Sequence, residues 1–266
     1  SIPFEWTPIL KEECDKVGIH YFSSPYDYDA IDLLDPYVPA YKAGSGLMSW
    51  PEAIVRMAIK AKPVIMATGA SDISDVVRAV RLVKAVNHQI ILMQCNTNYT
   101  ASLENFQHLQ LNVLKSFKCM YPDLILGLSD HTPGHATVLG AVTLGARMIE
   151  KHFTDDIGRD GPDHKFSMDP ATWREMVDRT RELELALGSG IKKIEDNEKE
   201  TVEIQRRAIR LTRDLSAGSA LTEEDLIVLR PCPADGLPPH QLEKLIGRKL
   251  RGEMQKGDHV KWSDLD

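Results

Sequence analysis

At 266 residues the chain is longer than one small domain needs, with room for a large core and a smaller appendage. Its 42% hydrophobic and 27% charged residues are ordinary for a soluble globular protein, and a formal net charge of −7 argues against a nucleic-acid partner, which requires a basic face. No apolar run approaches the roughly 20 residues of a membrane helix. Residues 1–6 show neither the basic nor the apolar stretch of a secretory leader. The cysteines Cys14, Cys95, Cys119 and Cys232 are far apart, with no CxxC pairing, so reduced thiols and a cytoplasmic location are expected.

In chain order, residues 6–17 predict a helix, and short apolar runs then alternate with longer segments of helical period. The runs, at 19–24, 39–44, 63–69, 90–95, 124–131 and 148–154, predict strands. The segments at 31–34, 51–61, 73–86, 103–120, 135–144 and 170–187 predict helices. Near-continuous apolar strands between helices indicate a parallel sheet covered on both faces. Six strand–helix units fall two strands short of an eight-stranded (β/α) barrel, and a doubly wound open sheet is the competing arrangement. Polar clusters at nearly every strand end favour the barrel, which draws site residues from most of its strands. The expected barrel domain is 1–190, N-terminally incomplete. Residues 191–207 are highly charged and predict a linking helix. From 208 to 266, β-prone pieces alternate with turn signals, predicting a small β-rich domain. Similar phrases around 215–226 and 254–265 suggest two related turns.

Chemistry is concentrated at the strand ends. His131 and His152 close successive runs, Gly127-Leu128-Ser129-Asp130-His131 and Ile149-Glu150-Lys151-His152. Alternation puts Ser129 on the face of His131, and Glu150 on the face of His152. Two imidazoles above one barrel mouth suit a first-row divalent ion such as Mn2+, with water or substrate oxygen in the open positions; the alternative is that each ring only bonds a loop carbonyl. Lys42 emerges from an apolar run ahead of Gly44-Ser45-Gly46, and Thr68-Gly69 ends the next. Such turns bind phosphate through backbone N–H groups, or serve conformation alone. Asn96, Thr97, Asn98 and Tyr99 cluster after another strand and fit a sugar or carboxylate contact. In the charged loop after the last strand, Asp163 of Gly161-Pro162-Asp163-His164 overhangs the mouth, where it suits a sugar hydroxyl.

Taken together, Lys42-Ala43-Gly44-Ser45-Gly46, Thr68-Gly69, Gly127-Leu128-Ser129-Asp130-His131-Thr132, Glu150-Lys151-His152-Phe153-Thr154, Gly161-Pro162-Asp163-His164 and Leu229-Arg230-Pro231 resemble the N-acetylneuraminate (sialic acid) synthase family, including synthases of legionaminic acid and spore-coat polysaccharide sugars. The resemblance implies a TIM barrel whose first two strands have no counterpart here, followed by an antifreeze-like (SAF) domain. It also implies a domain-swapped homodimer that condenses phosphoenolpyruvate with an open-chain 2-acetamido sugar. By the same analogy His131 and His152 hold Mn2+, or another divalent cation such as Mg2+ or Co2+. Lys42, Ser45, Thr68 and Ser129 surround phosphoenolpyruvate, Tyr99, Glu150 and Asp163 meet the sugar or the reacting centre, and Arg230 reaches across from the other protomer. Leu47 stands where the family carries an acid, and Ala67 where it often has a hydroxyl. The rival readings are a related synthase acting on a phosphorylated sugar, a metal aldolase, and a catalytically inert carbohydrate-binding barrel.

Overall fold

The computed structural model describes residues 2–266. They fall into two compact units, the first running to Ser189 and the second spanning Gly190–Asp266. In the first, β1 (Tyr41–Ala43), β2 (Val64–Ala67), β3 (Ile90–Cys95), β4 (Ile125–Asp130) and β5 (Met148–Lys151) form one all-parallel sheet. Their order across the sheet is their order along the chain. A doubly wound sheet reverses at a switch point and this one does not, so it is a half-barrel. Between successive strands run α3 (Pro51–Ala58), α4 (Ile73–Lys84), α5 (Val113–Met120) and α6 (Ala136–Thr143), with α1 (Thr7–Lys16) and α2 (Tyr28–Leu34) ahead of the sheet and α7 (Pro170–Leu187) after it.

β1 to β4 are buried on both faces along most of their length, all of β1 and β2 included, whereas β5 is only partly buried. The helices cover the outer face with apolar positions at helical spacing, such as Ala53, Ile54, Met57 and Ala58 of α3, and Val76, Ala79, Val80 and Val83 of α4. Asp72 starts α4 through a capping box: its carboxylate accepts from the Ser74 and Asp75 N–H groups, and the Asp75 carboxylate accepts from the Asp72 N–H. The core joins Tyr41, Ile54, Met66, Leu92, Leu114 and Phe117, each at most 2% exposed. Every fully buried side chain of this size contributes roughly 1.5–3 kcal/mol. Gly127 leaves room where β4 meets β5, for a Cβ there would lie 2.7 Å from the Met148 carbonyl oxygen.

Three expected elements differ. Residues 19–24 form no strand: Ile19 and Phe22 are 58% and 40% exposed, and among the described residues no strand pairs with this stretch. The helix expected over 103–120 is broken into a 3-10 turn, Leu103–His108, and α5. Between them Gln110 adopts a left-handed φ of 52°, which a continuous helix cannot accommodate. In the segment 191–207, the helix α8 covers only Lys199–Gln205, preceded by a 3-10 turn at Asp196–Glu198.

The second unit pairs β6 (Ala208–Leu211) with β7 (Leu226–Leu229) antiparallel over a small core of Ile209, Leu211, Leu221, Leu245, Leu250 and Val260. The related turns are two interlocked copies of one motif. Leu215 and Met254 exchange both backbone hydrogen bonds, at 2.9 and 3.0 Å. Gly218 and Gly257 occupy matching left-handed positions, with φ of 83° and 90°. Each copy ends in a 3-10 turn whose last residue, Asp225 or Asp264, accepts from the N–H of Thr222 or Lys261.

Candidate active site at the strand ends

The carboxyl ends of β1 to β5 carry the polar residues. Because Ser129 and Glu150 are register partners, as are Asp130 and Lys151, the strands present two different polar faces. One bears Ser129, Glu150 and, just beyond the strands, His131 and His152. The two imidazole centroids are 5.1 Å apart. His131 Nδ1 donates to the Asn96 carbonyl oxygen at 3.0 Å, and His152 Nδ1 lies 3.4 Å from Asp163 Oδ2. A carbonyl only accepts, so in a neutral ring His131 Nδ1 carries the hydrogen and its Nε2 keeps its lone pair. Burial, the largest cause, pushes both imidazole pKa values below the ordinary one; His131 pushes His152 further in the same direction. Both rings are therefore neutral at neutral pH.

This donor set suits a divalent cation. Neutral imidazoles with Nδ1 hydrogen-bonded and Nε2 free are the form that ligates metals. Among the described residues no group of three or more His, Cys, Asp or Glu side chains is arranged for a metal ion. The protein thus offers two nitrogens, and other positions would fall to water or substrate.

Lys42 of β1 is buried, and its Nζ lies 3.1 Å from Oε2 of the half-exposed Glu150. Ser45 follows β1, where its Oγ accepts from the Gly69 N–H at 3.1 Å and lies 3.5 Å from Cys95 Sγ. Gly69 is packed so closely that a Cβ would fall 1.8 Å from Thr97 Oγ1. The Thr68 hydroxyl donates to the Met93 carbonyl at 2.9 Å and ties β2 to β3. Asn96 contributes its backbone oxygen to His131, while its side chain donates to the His108 carbonyl. Tyr99 stands edge-on to both imidazoles, 4.5 Å from His131 and 5.9 Å from His152. Arg230 lies in the second unit, directly after β7, and is exposed. Leu47 and Ala67 are both buried, Leu47 in the main core.

Three features were missed at the level of sequence. Phe166 is 1% exposed and forms an aromatic wall against His152, His131 and Tyr99, at 4.9, 6.1 and 5.8 Å. Cys95 is a buried thiol near Ser45, Thr97 and His131. Asp130 and Lys151 form an ion pair with both side chains fully buried. Strand alternation was the one available signal for that pair, since it puts them on the same face, opposite the histidines.

Comparison with known proteins agrees with this architecture. Residues 1–192 match the NeuB family, and residues 206–266 match the SAF domain. The chain is 34% identical to the N,N'-diacetyllegionaminic acid synthase of Legionella pneumophila, over 97% of this chain and 72% of that protein. It is 35% identical to an uncharacterized protein of Methanocaldococcus jannaschii, over 96% of this chain and 75% of the relative. Among solved structures, the spore coat polysaccharide biosynthesis protein spsE of Bacillus subtilis superposes with a TM-score of 0.65 at 30% identity, covering 100% of this chain and 78% of its own. The N-acetylneuraminic acid synthetase of Leptospira borgpetersenii gives a TM-score of 0.70 at 27% identity, over 76% of this chain and 70% of its own. A half-barrel with paired histidines at its strand ends, followed by a SAF domain, is thus found in a chain that belongs to the NeuB family.

Proposed function

We propose that the chain condenses phosphoenolpyruvate with the open-chain aldehyde of a 2-acetamido sugar, N-acetylmannosamine or a related deoxy-acetamido hexose, to give a sialic-type acid and inorganic phosphate. The observation that carries this reading is the pair of imidazoles 5.1 Å apart at the same strand ends as a buried lysine whose Nζ lies 3.1 Å from Glu150. The names of the relatives support it: they include synthases of N,N'-diacetyllegionaminic acid, pseudaminic acid and N-acetylneuraminate 9-phosphate.

His131 and His152 would hold Mn2+, or Mg2+ or Co2+ in its place. Such a cation supplies Lewis acidity that polarises the acceptor's aldehyde oxygen. Lys42 holds the anionic substrate: an ammonium group in a nearly dry site favours phosphate or carboxylate strongly. The Gly69 N–H and the Ser45 hydroxyl, which donate to Ser45 Oγ and Cys95 Sγ, border the same anion site. Ser129 lies on the same face, and Asn96 and Thr97 border it. The new bond joins the enol carbon of phosphoenolpyruvate to the aldehyde carbon, whose oxygen takes up a proton. Water then adds at the adjacent carbon. Glu150, at hydrogen-bond distance from Lys42, takes the proton this water gives up, and collapse of the adduct expels phosphate. Tyr99 and Phe166 keep solvent from the imidazoles, and Asp163 orients His152 while facing the acceptor's hydroxyls. We extend the reading to a cytoplasmic homodimer whose exchanged SAF domain brings Arg230 to the partner's site, where a guanidinium would pair with a carboxylate in two-pronged fashion.

Phosphate release from phosphoenolpyruvate, followed with Mn2+ across a panel of 2-acetamido hexoses, tests the reaction. Acceptor-dependent release is expected. Lys42→Met should weaken phosphoenolpyruvate binding at least tenfold by calorimetry, in line with loss of a charge-assisted contact of about 1.5–3 kcal/mol. No release with any acceptor, together with unaltered binding by Lys42→Met, would refute the proposal.

A further inference from the structure

Behind the histidines lies a closed polar cluster. Lys151 Nζ donates to Asp130 Oδ2 at 2.7 Å and to the Thr132 carbonyl at 2.6 Å. Asp130 Oδ1 accepts from the Thr132 N–H at 3.0 Å and its hydroxyl at 2.8 Å, and Oδ2 accepts from the Thr137 hydroxyl of α6 at 2.6 Å. The side chains of Asp130 and Lys151 have no exposed surface, and Thr132 and Thr137 are buried. Nothing in the cluster faces the candidate active site, so no substrate contact explains it. A buried ion pair is also a poor device for stability, since apolar residues of similar volume often serve as well or better.

Its position suggests another role. His131 lies between Asp130 and Thr132, both bound to the cluster, and His152 directly follows Lys151. The network therefore fixes the backbone on both sides of one imidazole and on the near side of the other, and it clamps the two strand ends together. We infer that Asp130, Lys151, Thr132 and Thr137 are positioning residues that hold the Nε2 atoms of His131 and His152 in a common geometry for a divalent cation. This rests on the metal reading given under the proposed function.

The test uses the double variant Asp130→Asn/Lys151→Met, which removes both charges while conserving shape and leaves an acceptor for Thr132. Its melting temperature should stay close to that of the wild type. Its Mn2+ affinity, titrated by electron paramagnetic resonance, should fall about 10- to 100-fold, as for other groups that orient metal-bound imidazoles. Thr137→Val lies on α6 and leaves both members of the ion pair in place, so it serves if the double variant loses its fold; a several-fold loss of affinity is expected. A second readout needs no metal: nitrogen-15 spectra should show one Nδ1-protonated tautomer at His131 in the wild type and a mixture in the double variant. Folded variants that match the wild type in cation affinity and in tautomer would overturn the inference. A wild type that binds no Mn2+ sinks the metal reading instead, and the tautomer measurement still decides whether the network positions the ring.

Discussion

The glycine at the end of β2 provides a sharp test of the site's packing. Gly69→Ala adds one methyl group where the ideal Cβ would lie 1.8 Å from Thr97 Oγ1, 2.7 Å from Ser45 Oγ and 3.0 Å from Cys95 Sγ. The φ of Gly69 lies outside the left-handed region, so the backbone itself accepts alanine and the whole effect comes from the Cβ. Thr97 is exposed and can turn its hydroxyl away at small cost. Ser45 must rotate as well, which breaks its hydrogen bond with the Gly69 N–H and costs about 0.5–1.5 kcal/mol. Buried Cys95 has to yield by a few tenths of an ångström. The combined destabilisation should be about 1–3 kcal/mol, the range for an added methyl group in a packed site. A domain of this size loses about 2–4 °C for each kcal/mol, which calorimetry resolves. The displaced Ser45 and the new methyl group also crowd the proposed anion site, so phosphoenolpyruvate affinity should fall about tenfold or more. Wild-type melting together with wild-type phosphoenolpyruvate affinity would show that this corner is looser than its geometry and holds no substrate.

Phe117→Ala removes a ring that is 2% exposed in the core and should cost about 3–5 kcal/mol, read as a lower denaturant midpoint at unchanged slope. In the small domain, Lys261 and then His259 hold the Asp235 carboxyl down from 3.8 to about 2. A depressed folded pKa stabilises above the unfolded value and is lost as pH falls through the folded one. Acid titration should therefore weaken this domain between about pH 4 and pH 2, and Asp235→Asn should flatten that slope; an unchanged acid profile would rule the pair out as its source.

The half-barrel was legible because most of its strands are buried on both faces and so read as apolar runs. Residues 19–24 read the same way, yet an apolar run becomes a strand only when a neighbour supplies hydrogen bonds, and sequence carries no record of that neighbour. The break at Gln110 was invisible for a related reason: the flanking residues keep a helical period, while one left-handed residue turns the chain. At the site, alternation placed Ser129, His131, Glu150 and His152 together. It did not show how each residue spends its bonding capacity. The Thr68 hydroxyl donates to Met93, and Asp130 is sealed against Lys151. Such choices depend on partners that are distant in the chain.

The interlocked turns of the small domain bear on how it folds. The Gly218 N–H donates to Leu250 just ahead of the second copy, and the Gly257 N–H donates back to Leu211 just ahead of the first. Likewise Leu221 N–H bonds Arg248, while Val260 N–H bonds Ile209. Each copy completes its hydrogen bonding only through the other, so neither half is stable as a fragment and the domain should unfold in one cooperative step. The bridges 220–249, 215–254 and 210–259 are nested. Closing the innermost loop first carries the smallest entropic cost, and because that cost grows only with the logarithm of loop length, the outer bridges then zip with little further penalty. A refolding reaction with a single rate-limiting closure is the kinetic signature this topology implies.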